Sequence, residues 1–142
     1  MSFKTEIVSL AFVASLLASS VWAADPVDID FVTQGDKQWA EGRIEDARKS
    51  FEQAIAANPG SIDAHMKLGG LQLSNSNNTA AIQTYQRAIS LDRDSAKAWM
   101  GLGWAYLHSG QRELSKAAFD EAVRVDPSRK AQLAGLMDKI AK

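Results

Sequence analysis

Between Gly35 and Pro127 the chain repeats itself every 34 residues. Gly35, Gly69 and Gly103 are evenly spaced, and so are Phe51, Tyr85 and Phe119, and Ala54, Ala88 and Ala122. Pro59 and Pro127 lie two periods apart, with Arg93 midway. Several positions that agree independently on this interval mark a tandem array whose unit is a helix–turn–helix. The constraint is severe. One such unit cannot bury its own apolar face, so neighbouring units must stack into a solenoid, and the last pair must be capped.

Within each unit the apolar spacing is helical. In the third, Trp99, Leu102, Gly103 and Tyr106 follow the i, i+3, i+4, i+7 rule, and Gly110 breaks the helix. A second helix carries Leu114, Ala118, Phe119, Ala122 and Val125 and stops at Asp126-Pro127, because the residue before proline disfavours helix. The first unit reads alike, with a helix to about Ala40, a turn at Gly42, a helix bearing Ile44, Ala47, Phe51, Ala54 and Ile55, and a stop at Asn58-Pro59-Gly60. The second unit has no turn glycine, and Asn77 or Asn78 is expected to take the positive φ there. Ser61, Ser95 and Ser128 are candidate N-caps. A last helix, residues 129–141, groups Leu133, Leu136, Met137 and Ile140 on one face, as a terminal cap requires.

Composition removes several function classes. The 142-residue chain has a formal net charge of −1, so no basic excess favours nucleic acid or an anionic membrane surface. It contains no cysteine, which excludes disulfides, thiolate nucleophiles, zinc–cysteine sites and iron–sulfur ligation. At the N-terminus Lys4 precedes an apolar run from Ile7 to Leu17, and Val21 and Ala23 match a signal peptidase site. The run is short for the roughly 20 residues of a membrane span. Residues 1–23 therefore read as a signal peptide cleaved after Ala23, and 24–27 as a short leading segment, with no membrane anchor after cleavage. The expected location is the periplasm or the secreted space.

With these elements placed, "WMGLGWAY", Trp99 to Tyr106, resembles the tetratricopeptide signature, in which tryptophan, leucine, glycine and tyrosine recur at fixed offsets. The rest of that pattern is an alanine, an aromatic, a second alanine and a proline. It appears as Ala47, Phe51, Ala54 and Pro59, as Ala81, Tyr85, Ala88 and Arg93, and as Ser115, Phe119, Ala122 and Pro127. The resemblance implies an all-α, right-handed α-solenoid of three repeats, residues 28–61, 62–95 and 96–129, with a C-terminal capping helix in 130–142. The residues that would pack the repeats together are Gly35, Phe51, Ala54, Gly69, Tyr85, Ala88, Trp99, Leu102, Gly103, Tyr106, Phe119 and Ala122. The departures are Phe31 and His65 for the tryptophan, Gln34 for leucine, Gln38 and Gln72 for tyrosine, and Ser115 for alanine; they are expected to weaken packing.

The resemblance also implies that the first helix of each repeat lines a concave groove where family members hold a peptide. Its expected lining here is Val32, Asp36, Trp39, Met66, Leu73, Lys97, Met100, Trp104, Leu107 and His108. Most are large and apolar, which suits an apolar or amphipathic segment of a partner protein. Some family members grip a terminal carboxylate with lysine, asparagine and arginine; with only Lys67 and Lys97 nearby, no such clamp is expected. Two alternatives stay open: that Met66, Met100 and Trp104 are core, and that the groove docks a second copy of the chain. No catalytic residue, cofactor or metal site is expected. "GLGWAY" lacks the third glycine of a nucleotide loop and sits inside a helix, and His65 and His108 fall in different repeats. The carboxylate pairs Glu45-Asp46 and Asp120-Glu121 read as solvated faces.

Overall fold

A computed structural model of the chain describes residues 27–140; the segment read as a signal peptide and its cleavage site lie outside them. The described residues form an all-helical solenoid. Three helix pairs follow one another: α1 (Val27–Ala40) with α2 (Ile44–Ala57), α3 (Ile62–Ser74) with α4 (Asn78–Leu91), and α5 (Ala96–His108) with α6 (Arg112–Val125). A 3₁₀ turn, Pro127–Arg129, leads into α7 (Lys130–Ile140). Each helix packs on the next, and the first helices of neighbouring repeats touch, α1 on α3 and α3 on α5.

The turn inside each repeat has one design. Gly42, Ser76 and Gly110 take φ of 76°, 60° and 78°. At each, the residue's own N–H bonds the carbonyl three back and the next N–H reaches the carbonyl five back, as in Gly42 to Trp39 (2.9 Å) and Arg43 to Gln38 (2.8 Å). This left-handed cap satisfies the carbonyls orphaned at the helix end. In the second repeat the positive φ falls on Ser76 and not on Asn77 or Asn78. Ser76 is one period after Gly42, and register overrides residue preference. Asn77 instead caps α4, accepting from Ala80 N–H.

Ser61 and Ser95 cap α3 and α5 through the N–H groups of Ala64 and Ala98. Ser128 does not cap the last helix. Asp126 accepts from Ser128 N–H and pairs with Arg129, so the entry to α7 is a 3₁₀ turn with proline in its first position. The Ser128 hydroxyl also donates to Asp126 Oδ1 at 2.6 Å, and this bond, ahead of the Arg129 pairing, holds the Asp126 carboxyl below its ordinary value.

The core is built by one contact made three times. A Cβ added at Gly35 would lie 2.5 Å from the ring of Phe51, at Gly69 3.0 Å from Tyr85, and at Gly103 2.6 Å from Phe119. Only glycine lets the aromatic of the second helix reach the backbone of the first. Ala54, Ala88 and Ala122 are fully buried.

The departures from the signature do not loosen the first two repeats in the expected way. Gln38 and Gln72 each accept a hydrogen bond from the second helix of their own repeat, from Ser50 (2.6 Å) and Thr84 (2.7 Å). In the third repeat Tyr106 stands in this place and the facing residue is Ala118. Position and partner change together. His65 likewise keeps the tryptophan's bond: its Nε2 lies 3.1 Å from the carbonyl of Pro59, as Trp99 Nε1 donates to the carbonyl of Arg93 (2.9 Å). Ser115 is fully buried and donates to the Gly103 carbonyl at 2.8 Å. Gln34 is different. It is exposed, because the equivalent Leu68 packs on α2 of the preceding repeat, and no described helix precedes α1.

The capping helix keeps the 34-residue register. Leu133, Leu136 and Ile140 fall one period after Trp99, Leu102 and Tyr106. Leu133 and Ile140 are buried with Phe119, and Leu136 and Met137 pack against them. Met137 stands where the other units have glycine, so the ring approach seen at Gly103 is not available on α7.

Two outcomes test this packing. Gly103→Ala should lower stability by about 1–3 kcal/mol, since its methyl overlaps Phe119; an unchanged urea midpoint contradicts the contact. Thr84→Ala should cost about 1 kcal/mol by leaving Gln72 unpaired. Adding Gln72→Tyr should recover it, and additive losses in the double-mutant cycle would show that the two positions are independent.

Candidate functional site

The concave face is formed by α1, α3 and α5, and its side chains come from the positions of each helix that the glycine–aromatic contact leaves over. These residues lie half-buried along the seams between repeats. Val32 and Trp39 pack against the cluster of Ala47, Phe51, Leu68 and Leu71. Met66 and Leu73 pack against the cluster around Tyr85, Leu102 and Ala105. Met100, Trp104 and Leu107 pack against Phe119, Leu133 and Ile140. Each set thus serves the stacking of its own repeat on the next and still shows part of its surface. Each is therefore partly core and partly exposed surface.

The aromatics are held by specific contacts. Trp39 meets Phe51 edge to face at 6.4 Å between centroids, and its ring tip lies 3.4 Å from where a Gly70 Cβ would stand. Trp104 lies edge-on to Phe119 (5.5 Å) and to His108 (6.3 Å). His108 and Lys97 are exposed.

One ion pair crosses the face. Lys67 Nζ of α3 lies 2.7 Å from Asp36 Oδ2 of α1. With Trp39 and Ala40 these two line a shallow concavity of about 330 Å³. By residue type Lys67 is one of two cations near the groove, with Lys97. The structure makes it the partner of Asp36, so the pair is electrically closed and tacks α1 to α3. Among the described residues no three His, Asp or Glu side chains converge as a metal would need.

The opposite face has its own relief. A slot of about 310 Å³ between α4 and α6 is lined by Ile89, Trp99, Leu102, Tyr106 and Leu114 among others. Leu114, 47% exposed, is the large apolar side chain left most open among the described residues. The slot one repeat earlier has nearly the same volume but is lined by Glu52, His65, Gln83, Thr84 and Arg87 as well as Ile55 and Leu68. Its period was readable in the sequence; its apolar lining required the packing.

These features define a stacked helix–turn–helix solenoid whose concave face is covered by none of the described helices. The chain belongs to the tetratricopeptide-repeat family: one family profile matches residues 32–96 and a second, also described as tetratricopeptide repeat, matches 72–140. A Hsp70-Hsp90 organizing protein of Triticum aestivum is 29% identical over 105 residues, covering 74% of this chain. The chain spans only 18% of that relative's length. Among solved structures, the first TPR of Spaghetti (RPAP3) bound to HSP90 peptide SRMEEVD superposes with a TM-score of 0.76 at 16% identity, covering 81% of this chain and 90% of that one. The Yersinia enterocolitica type III secretion translocator chaperone SycD superposes with a TM-score of 0.72 at 14% identity, covering 82% and 90%. At these identities the two structures show the shared fold. Among the described residues no helix is long and apolar enough to cross a membrane.

Because Trp104 both packs and shows, Trp104→Ala should cost about 2 kcal/mol of stability while preserving helicity, less than a fully buried tryptophan would. His108→Ala should change stability by less than about 0.5 kcal/mol. Equal denaturation midpoints for Trp104→Ala and the wild type would contradict the packing of Trp104 on Phe119.

Proposed function

We propose that the protein is a non-catalytic adaptor that holds a segment of another protein on the concave face of α1, α3 and α5. The observation that carries this reading is the set of half-buried Trp39, Met66, Leu73, Met100, Trp104 and Leu107 on the first helices, one group at each seam, made from positions that the repeat signature does not use. Large aromatic and thioether side chains that are already partly ordered are good anchors, since little further entropy is lost on binding. The family supports it: one similar structure is described as bound to an HSP90 peptide, and another as a translocator chaperone.

The partner segment is apolar or amphipathic. A grip on a terminal carboxylate is disfavoured because Lys67 is neutralised by Asp36, which would itself repel an anion. The signal-like N-terminus makes the protein an exported one, working in the periplasm, where assembly of an envelope complex is the role in view. Three repeats give a short groove, so the interface falls below roughly 1,200 Å² and the complex is transient.

Purified protein should be monomeric by light scattering at micromolar concentration, and should be recovered from the periplasmic fraction with Ala24 as its first residue. Placing negative charge at two exposed positions, Lys97→Glu with His108→Asp, should weaken capture of a groove-binding peptide severalfold without altering the melting temperature. A stable oligomer whose interface protects Trp39 and Trp104 would overturn the adaptor reading in favour of self-assembly through the same surface.

A further inference from the structure

Of the three aromatics that enter from the second helices, Phe51, Tyr85 and Phe119, only Tyr85 carries a hydroxyl. Its ring runs from α4 between the backbones of α3 and α5. A Cβ at Gly69 would stand 3.0 Å from its Cζ, and one at Gly101 only 2.2 Å from its Cε1. The hydroxyl, farthest from α4, emerges beside Gly70, 3.8 Å from the place of that residue's Cβ. Gly70 holds the position that bears Asp36 on α1 and Trp104 on α5, and Gly101 the one that bears Lys67 on α3. Gly101 is buried and its missing Cβ makes room for the Tyr85 ring itself, whereas Gly70, partly exposed, leaves the groove floor without a side chain where the phenol ends.

Tyr85 is 5% exposed. Among the described residues its hydroxyl has no hydrogen-bond partner, and it is not among the fully enclosed unpaired atoms, where Asn78 Oδ1 stands, so it still touches solvent. Phenylalanine fills the same position in the other two repeats, so packing does not account for the oxygen. Burial pushes the phenol above its ordinary value, which keeps the proton on it at neutral pH.

We propose that the Tyr85 hydroxyl donates a hydrogen bond to a main-chain carbonyl of an extended peptide seated in the notch at Gly70. The inference rests on the concave face being the peptide site, and it specifies the peptide's conformation there. A helix spends its carbonyls internally, whereas an extended segment offers them, and a floor without a Cβ atom lets a backbone approach. The notch asks for no ligand charge, because Lys67, one turn from Gly70, already pairs with Asp36. The Trp39 ring beside Gly70 supplies an apolar wall for an adjacent side chain.

The test uses a peptide selected on the wild-type protein from a random 12-residue library. Tyr85→Phe should keep the wild-type melting temperature and helicity and weaken that peptide about tenfold, the worth of one buried hydrogen bond. Gly70→Ala, whose methyl finds only ordinary contacts, should also keep the fold and weaken binding. With tyrosine labelled at Cζ the protein gives two signals, and the peptide should shift that of Tyr85 while Tyr106 stays still. Equal affinity of Tyr85→Phe and wild type, or a silent Tyr85 signal, overturns the hydroxyl's role alone. If no library peptide binds the wild type at all, the groove reading itself falls, and this inference with it.

Discussion

The close approach of a second-helix aromatic to a first-helix glycine governs this molecule. Phe51 on Gly35, Tyr85 on Gly69 and Phe119 on Gly103 set the distance between the helices of each repeat. Once that distance is set, the residues buried between the two helices must be small, and the first helix must turn its remaining large side chains elsewhere. Those side chains, Val32 and Trp39, Met66 and Leu73, Met100, Trp104 and Leu107, end up on the seams between repeats. The concave face is thus a by-product of the core contact, and its apolar character is shared between stacking and display.

The first two repeats show how a repeat tolerates a changed signature. Gln38 with Ser50 and Gln72 with Thr84 replace an aromatic packed over alanine by a hydrogen bond between helices. His65 keeps a ring against the loop carbonyl as Trp99 does. A polar residue in the core is costly only when its partner is missing, and each of these has one. The substitutions therefore come in pairs one helix apart, at the same offset in both repeats.

Much of this was legible in the sequence, because the period carries the fold: helix pairs, glycine turns and the packing set all follow from it. What escaped did so for identifiable reasons. The positive φ at Ser76 was masked by the residue preference of its asparagine neighbours, although the register pointed to it. The cap at Asp126 depends on a 3₁₀ turn that proline makes and periodicity does not reveal. At the concave face, residue type identified Trp39 and Trp104, but not that they are half used in packing. The pairing of Asp36 with Lys67 spans two repeats, and the solvent-touching hydroxyl of Tyr85 depends on Gly70 and Gly101, which no signature singles out.

The account rests on the concave face, and not the apolar slot between α4 and α6, being where a partner segment lies. Amide and indole chemical-shift mapping with a library-selected peptide distinguishes the two most directly. Changes gathered at Asp36, Gly70, Lys97, Gly101 and the Trp104 indole are the predicted result. Changes gathered instead at Gln86, Trp99, Leu114 and Glu121, with the concave residues unmoved, would contradict it.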